Sequence, residues 1–486
     1  MSIYRNHLPI MGASGAQSTG YEIEQSIRFN DGDSAYMHRT PSGAGNRRTF
    51  TYSLWFKLGD MATSQRMLLS VRNSDTTRDN IIFNQGSSGD FRIYFDARVS
   101  GSAHTQLEPA RAFRDPAAWY HLIVAVDTTS ETEANRVKFY INGIQETNFS
   151  TTNYPGLNQQ FQVNNTDKHS IGRFEYSSVS GYWDGYLAEI HLIDGYAYGP
   201  EYFGEFNSSN IWIPKEYTES YGTNGFKIDG RDSSDLGDDE SGNGNDFTTS
   251  GLAAHDQVLD SPTNNFNTLN ALYETHAMTL SEGNLEGEGS NATYRRINGT
   301  QSVTSGKWYF EGYIVKTTVN NPTFGWVLTE PEDWDNYVQP GSGAHEAAVM
   351  AAATGQTHVG KVYVNANLSS SYTSTTAAGD IFGIAIDFDN LGFYVHKNGT
   401  YYNSGDPTSG SSKTGSLDAS GLEANEYTPA LGCQDSNSAA FLNFGQDGTF
   451  GGAITAGGNK DANGIGNFKY AVPSGYLALC TKNLGS

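Results

Sequence analysis

The chain has 486 residues, 37% of them apolar and 13% aromatic, with 29 Tyr, 25 Phe and 55 Gly. Its 30 Lys+Arg stand against 53 Asp+Glu, a net charge of −23. That balance excludes non-specific nucleic-acid binding, which needs cationic surface against phosphate. The length exceeds one hydrophobic core, so two or three domains are expected. The aromatic, Gly-rich mix favours strands, and no helical periodicity persists beyond about three turns.

Residues 1–25 form a short, mixed arm expected to dock on something else, because a segment without a core finds order elsewhere. The opening "MSIYRNHLPIMGASGAQ" has no long apolar stretch, so no signal peptide is expected, and no run approaches the length of a membrane span. From Ser26 short strands recur with turns between them: "RTFTYSLWFKL", "RMLLSVR", "NIIFNQ", "DFRIYFDAR", "AWYHLIVAVD", "RVKFYINGIQE" and "GYWDGYLAEIHLIDGYAY". Such spacing predicts a sandwich or barrel over residues 26–212. Residues 213–275, with "GFKIDGRDSSDLGDDESGNGNDFTTSG", read as a Gly/Asn/Asp-rich irregular connector. Residues 276–486 carry a second strand block, including "SGKWYFEGYIV", "GDIFGIAIDFD", "GFYVHKNG" and "SAAFLNFGQ".

Two sentences match across the blocks. "LIVAVDTTSETEANRVKFYINGIQ" and "FGIAIDFDNLGFYVHKNGTYY" each predict two paired strands and an Asn-Gly turn into a third. Period-two alternation then puts one face of each strand in a core and the other in water. By that phase His191 and His396 belong at the surface. Cys433 and Cys480 are expected as reduced core thiols.

Residues 26–212 resemble a laminin-G-like, concanavalin A-type jelly roll through "FTYSLWFKLG", "AWYHLIVAVD", "VKFYINGIQE" and the closing "GYLAEI" strand. Residues 279–450 resemble a SPRY domain through "GKWYFEGYI", "FGWVL", "GDIFGIAIDFD" and "YTPALG". The expected fold is therefore all-β, two antiparallel β-sandwiches joined by an irregular connector. The composite of "SIRFNDGDSAYMHRT", "GNGNDFTTSG" and "VPSGYLALCTKNL" resembles structural proteins of tailed, marine-type bacteriophages. That resemblance implies a virion protein made in the bacterial cytoplasm. It would be a tail fibre or capsid decoration subunit, held to other virion proteins by residues 1–25. A homo-oligomer is expected, and a trimer would fit.

No enzyme is expected. A retaining glycosidase needs paired carboxyls roughly 5 Å apart, yet Glu22 and Glu24 lack a third acid, and Glu189 and Asp194 fall on opposite faces of a strand. Asp229, Asp232, Asp235, Asp238 and Asp246, on Gly-rich backbone, suit Ca²⁺ as hard oxygen ligands, though a solvated acidic connector explains them too. Tyr176, Tyr182, Trp183 and Asp184, and Trp334, Asp335 and Tyr337, form loop-like clusters that could stack and hydrogen-bond a host-surface glycan. The competing reading is core or subunit packing.

Overall fold

The computed structural model describes residues 20–60, 65–85, 91–175, 180–272, 278–290, 294–317, 321–329, 340–341, 345–351, 361–364, 367–368, 375–417, 419 and 421–485. They fall into two compact units, 20–263 and 264–485. Both are built from antiparallel sheets, and the one α-helix among the described residues is the single turn Thr481–Leu484.

In the first unit, one sheet runs Ile144–Gln145, Val137–Ile141, Trp119–Asp127, Thr49–Leu58, Gly185–Asp194, Ser26–Phe29, Gln257–Val258. The facing sheet runs Phe149–Asn153, Ser102–Pro109, Phe91–Val99, Thr77–Gln85, Arg66–Ser74, Lys168–Ile171, Tyr36–Arg39, Thr248–Ser250. Alternate residues point between them, and Tyr52, Leu54, Phe56, Ile81, Phe83 and Phe95 are buried in one core.

The turns form as their residues dictate. Asn142 and Gly143 take φ of 47° and 77°, and Asn398 and Gly399 take 50° and 82°. Both pairs are two-residue turns of the kind that matches strand twist. They join Val137–Ile141 to Ile144–Gln145 and Gly392–Lys397 to Thr400–Tyr401.

The alternation argument fails on the other face of the first sheet. Thr49–Leu58 is buried at nine of its ten positions and Gly185–Asp194 at all ten. The reason is a third layer. Residues 195–263, most of them expected to be a connector, lie over that face and complete both sheets. Phe226–Ile228 pairs with Gly185–Asp194, Gln257–Val258 with Ser26–Phe29, and Thr248–Ser250 with Tyr36–Arg39. Beneath this layer Lys57 Nζ sits 2.7 Å from Asp260 Oδ2, both side chains fully buried. Trp119 Nε1 donates to the other oxygen of Asp260 at 3.0 Å. A buried ion pair survives only when such additional donors satisfy its remaining lone pairs.

His191 is therefore not at the surface. It is 4% exposed, and its Nε2 lies 3.0 Å from Glu189 Oε2. Glu189 occupies an irregularity in strand register with φ of 47°. Its carboxylate also accepts from Tyr21 Oη at 2.6 Å and faces Lys227 Nζ at 3.3 Å. Burial opposes ionisation there, but His191, Lys227 and Tyr21 overcome it and hold the carboxyl down at about 2. The last residues of the expected arm are part of this layer. Ile23 is buried with Trp55 and Ala188, so residues 20–25 are committed to the sandwich. Residues 1–19 lie outside the described part.

In the second unit, one sheet runs Met278–Ser281, Glu286–Gly289, Ser438–Asn443, Lys307–Thr317, Ile381–Asp387, Gly392–Lys397, Thr400–Tyr401. The other runs Arg295–Asn298, Tyr427–Cys433, Thr323–Leu328, Ala347–Met350, Val362–Val364, Asn367–Leu368. Phe310, Phe324, Trp326, Ile384 and Leu442 fill the core between them. The outward face of the first of these sheets is again covered, here by the C-terminal stretch. Glu311 accepts the backbone N–H of Lys469 at 2.9 Å and of Tyr470 at 2.8 Å, and Tyr309 Oη at 3.1 Å. His396 is 1% exposed, against its expected place at the surface, and lies 2.8 Å from Tyr309 Oη. It can lie flat only because Gly383 is opposite, where a Cβ would come within 1.9 Å of His396 Nε2. Both thiols, Cys433 and Cys480, are free and buried.

Candidate functional site

The outward face of the first unit's second sheet is built differently, because the core-facing phase of its strands is apolar and the other phase is almost wholly polar. In-register pairing draws the polar phase into a row across six strands, from His38 through Ser170, Ser70, Asn80 and Asp96 to Gln106. Directly opposed residues share a face and touch. The Ser70 hydroxyl lies 2.8 Å from the Asn80 amide, and Gln106 Nε2 donates to Asp96 Oδ1 at 3.0 Å. Ser170, Ser70, Asn80 and Asp96 are buried and spend their polar groups on one another and on neighbouring side chains, so only the ends of the row, His38 and Gln106, reach solvent.

One end of the row carries an aromatic rim. Tyr36 stacks on His38 with centroids 5.6 Å apart, and Tyr182 lies 6.4 Å from Tyr36. The Arg173 guanidinium sits 3.7 Å above the Tyr36 ring. Glu175 anchors the segment carrying Arg173: it accepts from Ser170 Oγ at 2.8 Å and pairs with Lys168 at 3.0 Å. Burial pushes against its charge, yet Arg173, Ser170 and Lys168 hold the carboxyl below its ordinary value. Burial, with Lys168 next in weight, lowers His38, which favours a neutral imidazole able to accept as well as donate.

Of the residues expected to contact a glycan, Tyr182 stands at this rim, half-buried. Trp183 and Asp184 do not, and that expectation is corrected. Trp183 is fully buried and meets Phe56 and Phe83 edge to face at 5.9 and 5.7 Å. Strand alternation beginning at Gly185 turns its indole inward. Asp184 is 2% exposed, accepts from the Asp60 N–H at 2.9 Å and lies 3.9 Å from Arg66; burial pushes its carboxyl up. Tyr176, Trp334, Asp335 and Tyr337 lie outside the described residues.

The acids expected to suit calcium are placed as follows. Among the described residues no group of three or more His, Cys, Asp or Glu is placed to hold a metal ion. The acids instead shape their own turns. Asp229 accepts from the Arg231 N–H at 2.9 Å and pairs with Lys227, Asp232 accepts from Ser234, Asp235 from Gly237, and Asp246 from Asp239. Asp238 is exposed on the same loop.

Sequence reasoning missed the row itself. Its members are separated by up to 132 positions in the chain, from His38 to Ser170, and only strand pairing unites them. It also missed a cleft of about 310 Å³ in the second unit, floored by Tyr313 and Val315 and flanked by Glu282, Glu286 and Phe450.

Two layered, almost wholly β units thus define the architecture. Residues 30–197 match the family described as the concanavalin A-like lectin/glucanases superfamily. No curated protein matches the sequence. Among solved structures, the SPRY domain of human HERC1 is similar at 15% identity and a TM-score of 0.26, over 34% of this chain and 92% of that one. A Bacteroides ovatus protein assigned to carbohydrate binding is similar at 13% identity and a TM-score of 0.32, over 48% and 60%. A heptameric SAP-like pentraxin from Limulus polyphemus is similar at 14% identity and a TM-score of 0.28, over 37% and 80%.

Proposed function

We propose that this chain is a non-catalytic glycan-binding protein whose ligand lies on the outward face of the first unit's second sheet, against the Tyr36–Tyr182 rim. The observation that carries the reading is the half-buried aromatic rim itself, Tyr36 stacked on His38 with Tyr182 beside it and the Arg173 guanidinium above the ring. Sugars offer an apolar ring face to tyrosines and hydroxyls to the imidazole and guanidinium beside them. What supports a non-catalytic role is that two buried acids on central strands, Glu189 and Glu311, are sealed under covering segments and consumed by structural donors. A glycan panel tests the proposal. Binding that falls on Tyr36→Ala and Tyr182→Ala is expected. Unchanged binding in both variants, or release of sugar from the polysaccharide, overturns it.

The phrases shared with tailed-phage structural proteins support a narrower reading, that the chain is a displayed virion subunit, a tail fibre or capsid decoration. Ile144, 55% exposed on the edge strand of the first sheet, and Phe206, 45% exposed, offer apolar contact for assembly. An antibody against the chain should label purified particles; particles lacking it sink this part and leave the glycan reading untouched.

A further inference from the structure

Lys57 and Asp260 meet in a setting that favours more than an ion pair. Strand register places Lys57 between Trp119 and Tyr186, on the face of the first unit's first sheet that the third layer covers. Directly opposed residues share a face. The two ring centroids are 6.2 Å apart, and Lys57 Nζ lies 5.6 Å from that of Tyr186. Asp260 belongs to the covering layer and is fixed by Ser26, whose Oγ donates to its backbone carbonyl at 2.6 Å. Lys57 Nζ then stands 2.7 Å from Asp260 Oδ2, with both side chains shut off from solvent. The other lysine–carboxylate pairs among the described residues all leave the lysine open to water, from 13% at Lys227 to 44% at Lys316. An amine carrier and a carboxyl held in contact need no encounter, because folding has already supplied it. Exclusion of water also removes the reagent of the reverse hydrolysis.

We infer that Lys57 and Asp260 condense to an amide, a covalent cross-link between the strand Thr49–Leu58 and the layer over it. The ammonium first passes a proton to Oδ2. The lone pair of Nζ then attacks Cγ and forms the N–C bond, and negative charge gathers on Oδ1. Trp119 Nε1 already donates to that oxygen at 3.0 Å. A fixed donor aimed at the atom that gains charge lowers the barrier of such a step. Nζ gives a second proton to Oδ2, the Cγ–Oδ2 bond breaks, and Oδ2 leaves as water while the carbonyl re-forms at Oδ1. Ammonium and carboxylate thus become amide and water, with no further reactant. The bond spans 203 positions of the chain, so the covering layer cannot leave the sheet without breaking it. Cross-links that close long loops restrict the unfolded chain most.

The intact mass of the full chain, folded and then unfolded in denaturant, reads the bond directly. It should fall about 18 Da, one water, below the mass of the sequence. Proteolysis should release a branched peptide that joins the segments around Lys57 and Asp260. On a denaturing gel the looped chain should run ahead of Lys57→Arg, whose guanidinium keeps a charge beside Asp260 but stays protonated and does not acylate. Trp119→Phe keeps an aromatic wall without the N–H donor, and should leave most of the chain unlinked when the parent is complete; equal linkage there removes the indole from the step. Should neither variant fold, the parent's mass and its branched peptide still decide. A parent at full mass after prolonged incubation of the folded chain overturns the cross-link. So does a mass deficit that brings no branched peptide and vanishes in mild alkali, the mark of a cyclic imide at an Asp-Gly pair such as Asp229-Gly230.

Discussion

Glu189 and Glu311 do the same mechanical job in the two units and do it with opposite electrostatics. Each stands on the outward face of a central strand, under a segment that closes the unit. Glu311 takes backbone N–H groups of Lys469 and Tyr470; Glu189 takes the Tyr21 hydroxyl and faces Lys227. The difference lies in the partners. Glu189 has the His191 imidazole at 3.0 Å and the Lys227 ammonium at 3.3 Å and stays ionised, held down at about 2. Glu311 has neutral donors alone around its carboxyl, and burial outweighs them, raising it to about 7. Geometry alone would rank the two as equivalent anchors. The comparison shows that hydrogen-bond number fixes position, whereas the charge of the donors fixes the protonation state.

The largest way to break this contrast is Glu189→Gln. It takes the carboxylate from His191 and one of the two that face Lys227, which keeps Asp229 at 3.2 Å, so the cost falls at the lower end of the about 3–5 kcal/mol of a broken buried pair. Thermal unfolding of the first unit, followed by hydrogen exchange, should show that loss near neutral pH. A variant as stable as the parent would mean the pair is dispensable. Glu189 has a folded pKa below its ordinary value of 4.5. Its contribution is therefore complete above about 4.5, and is lost as pH falls towards about 2, so the deficit of the variant should shrink over that window.

Glu311→Gln sharpens the contrast from the other side. Here the folded pKa, about 7, lies above the ordinary 4.5, so the folded state binds the extra proton. The parent is most favoured below about 4.5, and loses about 3 kcal/mol as pH rises to about 7. The glutamine variant does not titrate. Its stability relative to the parent should therefore rise across that interval, and a difference constant with pH refutes the assignment. Gly383→Ala acts on the neighbour. Its methyl collides with the His396 ring, for a cost of about 1–3 kcal/mol, with exchange accelerating at Tyr309 and along Gly392–Lys397. The smallest stability effect is expected from Tyr182→Ala, within about 0.5 kcal/mol, because the ring is at a half-exposed rim. Its effect on glycan affinity should be the larger, and a fall in melting temperature of the whole unit would show that the rim is structural.

What the sequence reveals of this molecule is what local chemistry controls. The two Asn-Gly turns, the strands they join and the layered all-β architecture follow from residues a few positions apart. Trp183 shows where local reading stops. "GYWDG" has the composition of a loop, but its indole points inward because Gly185 opens a strand whose phase is set by pairing with Thr49–Leu58. His191 and His396 were expected in water because alternation describes a strand with one covered face; nothing in either strand announces that a remote segment covers the other. The polar row on the second sheet is invisible for the same reason. Register is a relation between strands, and a shift of one residue would send every member of the row to the opposite face.

The third layer also bears on how the chain comes to be made. Synthesis proceeds from the N-terminus, so residues 26–194 emerge before the residues that cover their outward face. Until then Lys57, Glu189 and His191 face solvent, and a surface bearing ammonium, carboxylate and imidazole groups resists sticking to other unfinished chains. Charges that look costly in the completed molecule thereby serve as its solubilising coat while it is still incomplete.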